Sequence, residues 1–78
     1  MAKFKKKPII IEAMPIKEPT NISTLEGMMH GNPGDWLIRG VKDELYPCEK
    51  SIFFQSYEPA DEEARQLWKQ HYGEEQTI

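Results

Sequence analysis

Hydrophobic positions change their spacing several times along this 78-residue chain, and each spacing predicts a different element. Ile9, Ile10 and Ile11 are three β-branched residues in succession. Such residues favour the extended backbone, so residues 8–14 read as a strand that ends at Pro15, which cannot donate to a ladder. The lysines just before it would blunt an exposed edge. Residues 15–21 hold Pro15, Pro19, Lys17 and Glu18 with no apolar period, and read as a loop. Residues 22–30 are strand-like, with Gly27 as a bulge. Adjacent Met28 and Met29 then face opposite sides, one toward the core and one toward solvent or a contact surface.

Gly31-Asn32-Pro33-Gly34 turns the chain. Proline followed by glycine suits the two central positions of a type II turn, where φ is first fixed near −65° and then positive. Residues 36–41 resume as a strand, with Trp36, Ile38 and Gly40 on one face and Leu37, Arg39 and Val41 on the other. Lys42-Asp43 is read as a two-residue hairpin turn, and residues 45–48 as the return strand, which Pro47 makes short or places at an edge. Residues 50–57 suit one or two helical turns, with Ser51 as N-cap and Phe53, Phe54 and Tyr57 clustered.

The clearest helix spans residues 62–72. Asp61 opens it, acidic residues fill its first turn where the helix dipole favours them, and Gly73 stops it. Ala64, Leu67, Trp68, His71 and Tyr72 repeat at i, i+3, i+4, i+7 and i+8, which is one apolar stripe. The stripe suits a helix that packs on the sheet. It also suits an interaction helix whose anchors, Trp68 and Tyr72, take a partner. The predicted fold is α+β: one small antiparallel sheet of three or four strands, with or without a roll toward a barrel, and a C-terminal amphipathic helix.

Length makes this a single domain: a basic arm (1–7), a β-rich core (8–59), the helix (60–73) and a frayed tail (74–78). A chain this short buries only about 60% of its unfolded surface, so a homodimer or partner interface would add useful burial. One cysteine leaves no internal disulfide and, with four methionines, suits a reducing cytoplasm. No apolar run reaches the roughly 18–20 residues that cross a bilayer, and the lysine-rich start precedes too short an apolar run for a signal peptide.

The net charge of −3 hides a gradient. Residues 1–17 hold five lysines against one glutamate, a net +4, and residues 58–78 hold six acids against two bases, a net −4. The acidic end could mimic a nucleic-acid backbone and engage a basic groove on a nuclease or polymerase. The lysine arm, with Phe4 among its charges, is a nucleic-acid candidate that the acidic pI of 5.3 disfavours.

Candidate chemistry is sparse. Cys48 with His30 or His71 would need a lowered thiol pKa and a base within hydrogen-bond reach, and no signature of a cysteine enzyme surrounds it. Cys48, His30, His71 and Asp35 lack paired metal-ligand spacing. No glycine-rich phosphate loop is present. The expectation is therefore no catalytic residue, no metal and no cofactor. Partner binding is assigned to Trp68, Tyr72, Glu62, Arg65 and Met29. The alternative is a nucleotide sink whose dimer cleft is lined by Trp36, Arg39 and Tyr46.

A resemblance sharpens the picture. Thr24-Leu25-Glu26-Gly27, Pro33-Gly34-Asp35-Trp36, Gly40-Val41, Tyr46-Pro47-Cys48 and the run from Phe53 to Tyr57-Glu58-Pro59 resemble a core found in small bacteriophage and prophage proteins of unknown function. The likeness covers roughly residues 3–14 and 24–59. Such proteins place a helix before the Thr-Leu-Glu-Gly segment, which this chain lacks, and more often carry glycine at the position of Asp43. The resemblance implies a phage or prophage setting in the host cytoplasm rather than a reaction. Together these features lead to the expectation of a non-enzymatic accessory protein that binds and modulates a host protein, in host takeover or counter-defence.

Overall fold

The computed structural model describes residues 1–73. Five strands and two helices follow one another: β1 (Glu12–Pro15), β2 (Thr20–Thr24), β3 (Gly27–Gly31), β4 (Trp36–Arg39), β5 (Leu45–Cys48), α1 (Lys50–Ser56) and α2 (Glu62–Tyr72). They form two antiparallel sheets, a three-stranded one in the order β1-β4-β5 and the hairpin β2-β3. The class is α+β as expected. The three-stranded antiparallel sheet and the C-terminal helix are as expected; the β2-β3 hairpin adds a second sheet, and the sheets do not close into a barrel.

β1 begins four residues later than its isoleucines suggest. Glu12 pairs with Arg39, so the partners of Ile11 and Ile10 would be Gly40 and Val41, which already belong to the next turn. A strand needs a partner, and residues 8–11 have none. Residues 22–30 are likewise not one bulged strand. Leu25 and Glu26 form a hairpin turn in which Thr24 Oγ1 donates to the Gly27 carbonyl at 2.7 Å and accepts from Glu26 N–H at 3.1 Å. Gly27, at φ 101°, resumes the second strand in a conformation other residues resist.

The Pro33-Gly34 turn forms as expected: Asp35 N–H donates to the Asn32 carbonyl at 3.0 Å, and Gly34 has φ 96°. The next turn differs. Gly40 N–H reaches the Glu44 carbonyl at 2.8 Å across a three-residue loop, Val41-Lys42-Asp43, with Asp43 left-handed at φ 65°. That is a type I turn closed by a left-handed residue, where a two-residue turn would need two positive φ values.

β4 is the central strand and carries the core, with Trp36 and Ile38 facing the two helices. Ile38 is completely buried, at 0% exposure. Its neighbours Ala13 and Tyr46 lie on the same face. A second, smaller cluster forms where the β2-β3 hairpin packs on β5: Ile16, Ile22 and Gly31 meet Pro47. Met28 and Met29 both remain exposed, at 70% and 39%, because the hairpin buries only Ile22 and Gly31. The expectation that one methionine enters the core is corrected.

Both helices are anchored by nearby carboxylates. Asp61 caps α2 by accepting from Ala64 N–H at 2.8 Å, and Gly73 N–H closes its end on the Lys69 carbonyl at 2.9 Å. At α1 the N-cap is Glu49, whose side chain makes no cap bond, and not Ser51. Asp35, from the turn before β4, accepts from Lys50 N–H instead, at 3.4 Å. The tail expected at 74–78 lies outside the described residues. Among the described residues, no helix is long and apolar enough to cross a membrane.

Candidate functional site

Aromatic rings fill the space between β4 and the helices. Trp36 stacks on Phe53, with centroids 4.4 Å apart and planes 11° apart, and Phe53 stacks in turn on Tyr57 at 4.9 Å. Phe54 stacks on Trp68 at 5.3 Å, and Trp68 meets Tyr72 at 4.6 Å. Such ring pairs each add about 0.5–1.5 kcal/mol beyond their area burial. One hydroxyl ties three elements together. Tyr72 Oη accepts from Trp36 Nε1 at 2.9 Å and donates to the Lys50 carbonyl at 2.6 Å.

This arrangement buries the stripe of α2. Trp68 and Tyr72 are each only 6% exposed, held against β4 and α1 of their own chain. They are core residues, so the surface-anchor role assigned to them is corrected. Glu62 and Arg65 lie on the exposed side of α2 and pair with each other at 2.9 Å. A hydrogen bond from Gln66, followed by the contact with Arg65, holds the Glu62 carboxyl below its usual range. Met29 sits apart, on the hairpin, beside Leu45 and Tyr46. The five residues assigned to partner binding therefore do not form one surface.

Nor do Trp36, Arg39 and Tyr46 line one cleft. Trp36 is buried beneath the helices, and Arg39 points from the opposite face, where it meets Glu12 at 3.4 Å and Asp43 at 3.9 Å. Side chains three residues apart on a strand face opposite sides. Tyr46 is half-buried on the helix side, where burial first and the neighbouring Tyr57 phenol second push its hydroxyl up to about 12.

Cys48 is partly buried, and burial followed by Asp35 and Glu49 raises its thiol pKa. Its Sγ donates to the Glu49 carbonyl at 3.7 Å. His71 lies edge-on to Trp36 at 5.4 Å, its pKa lowered by burial and then by Lys50 and Lys17, while His30 hydrogen-bonds Asn21 at 2.9 Å. Among the described residues, no hydrogen bond joins the thiol to either imidazole, and no three His, Cys, Asp or Glu side chains converge to hold a metal ion.

A concave site does exist where the sequence reading did not place one. A groove of about 350 Å³ runs between residues 9–13 and the segment leading into α2. Its floor is Trp36, Phe53 and Trp68, its far wall includes Tyr57, Pro59, Ala64 and Leu67, and Glu58 and Asp61 stand at its rim, whereas the Glu12 carboxylate turns to the opposite face of the sheet and meets Arg39. The aromatic cluster at 53–57 was visible in the sequence, yet nothing local showed that the N-terminal segment would lie across from it. No family model, curated protein or solved structure matches this chain.

Proposed function

We propose that this chain is a non-catalytic accessory protein of a bacteriophage or prophage, acting in the host cytoplasm by binding a host protein and modulating it. The observation that carries the proposal is the apolar groove with two carboxylates, Glu58 and Asp61, at its rim. A concave, aromatic-floored site with few polar groups is suited to a short segment bearing a large apolar side chain. The carboxylates favour basic flanks on that segment, of the kind found on proteins that handle nucleic acid. The phage-type core from Pro33 to Pro59 supports the setting. The groove thus replaces the buried stripe of α2 as the binding surface.

The test is affinity capture from bacterial lysate with wild type and a Glu58→Lys, Leu67→Glu variant, which reverses one rim charge and places a charge in the wall. A specific protein held by wild type and released by the variant is the expected result. Identical captures by the two forms would rule the groove out as the surface.

A further inference from the structure

We propose that the groove is filled by residues 3–8 of a second copy of this chain, so that two copies exchange N-terminal arms about a two-fold axis. The inference rests on the groove being a site for a basic segment with a large apolar side chain, and makes a second copy's arm the occupant that a host segment displaces. The arm has that chemistry: Phe4, 96% exposed, lies among Lys3, Lys5, Lys6 and Lys7. None of these lysines forms an ion pair among the described residues, and neither does Glu58 at the groove rim. Four unpaired cations on one segment and a carboxylate-rimmed apolar groove on the same molecule are complementary in charge and in shape.

Geometry favours a neighbour's arm over the chain's own. The groove's near wall starts at Ile9, and the arm leaves the body immediately before it, at Pro8. Proline fixes its own φ and holds Lys7 toward the extended region, and residues 1–8 are all exposed and absent from the groove lining, so the arm does not lie in its own groove. Six extended residues reach about 20 Å, comparable with the 21 Å shortest dimension of the molecule. A two-fold axis beside Ile9 lets each arm enter the other groove directly. That contact also covers Ile9 and Ile10, which are 50% and 77% exposed in the single copy. It is closed, since each arm fills one groove and none is left over.

The deciding experiment is sedimentation velocity of the full chain over a wide concentration range, with two charge-reversed forms. One form carries Lys5→Glu, Lys6→Glu and Lys7→Glu; the other carries Glu58→Lys. Wild type is expected to dimerise with rising concentration, and each reversed form to dimerise about tenfold more weakly or worse. An equimolar mixture of the two should recover the dimer, because both of its arm-groove contacts are again of opposite charge. Phe4→Ala should also weaken the dimer and leave the melting temperature of the monomer unchanged.

Wild type that stays monomeric at every concentration overturns the proposal, as do reversed forms that dimerise like wild type. A peptide of residues 3–8, added to the lysine-reversed form and followed by tryptophan fluorescence, separates the two readings. Peptide binding with a monomeric wild type keeps the groove and rejects arm exchange. No peptide binding with a monomeric wild type rejects both.

Discussion

Tyr72→Phe removes one oxygen and tests how the core is held. The hydroxyl sits between Trp36 Nε1 and the Lys50 carbonyl, at 2.9 and 2.6 Å. Its loss strands a buried indole N–H, and an unsatisfied buried donor costs about 1–3 kcal/mol. The Lys50 carbonyl loses a bond with a net value of about 0.5–1.5 kcal/mol. The sum, about 1.5–4.5 kcal/mol, is a large share of the roughly 4–12 kcal/mol available to a domain of this length. It corresponds to a fall of roughly 6–36 °C in Tm for a domain of this size. Urea unfolding followed by tryptophan fluorescence measures it, with an unchanged slope and a lower midpoint. Trp36→Phe alone will also destabilise by losing ring contacts, so a double-mutant cycle isolates the hydrogen bond. In the Trp36→Phe background, Tyr72→Phe should cost about 1–2 kcal/mol less than in wild type. Additivity within about 0.5 kcal/mol would show that the two groups are uncoupled and refute the reasoning.

Three further outcomes follow from the same geometry. Gly31→Ala places a methyl 2.5 Å from Ile16 Cδ1 and 3.3 Å from Ile22 Cδ1, so thermal melting should show a loss of about 1–3 kcal/mol. Asp43→Gly relieves a left-handed residue at φ 65°, at the expense only of an exposed 3.9 Å ion pair, and should raise stability by about 0.5–1 kcal/mol in the same assay. The Tyr46 hydroxyl is raised from 10.0 to about 12 in the fold, so its neutral form is the stabilised one. That contribution is complete below pH 10 and is lost as pH rises toward 12, and Tyr46→Phe should flatten the alkaline fall in urea midpoint across this window.

Helix α2 was legible in the sequence because its signals are local. Asp61 bonds a residue three positions away, the acids sit in the first turn, and Gly73 ends it. The Pro33-Gly34 turn was legible for the same reason. Elements whose form depends on distant partners were not. The three isoleucines predict a strand, but a strand forms only where β4 runs beside it, and β4 ends at Arg39. The carboxylate that serves the start of α1 comes from Asp35, fifteen residues earlier, so the adjacent Ser51 misled. The period of two already put Trp36 and Arg39 on opposite faces, and grouping them in one cleft set that aside. The groove was the least legible feature, since its two walls lie more than forty residues apart.

The groove and the helix beside it are not independent. Asp61 stands at the groove rim because α2 needs a cap, and a carboxylate there satisfies a backbone N–H as well as adding charge to the groove. Replacing it would therefore mix two effects, a loss of helix stability and a change in rim charge. Glu58 carries no such duty, since it has no ionic partner among the described residues. The floor couples the two as well. Trp36, Phe53 and Trp68 belong both to the groove and to the core that holds β4 against the helices. A segment lying on them adds apolar contact to the rings on which this small fold depends, so occupancy and folding are linked. At one hundred times its dissociation constant, an occupant contributes about 2.7 kcal/mol. That is comparable with the whole effect of the Tyr72 hydroxyl. Whatever fills the groove thus acts as a missing piece of the core as well as a partner.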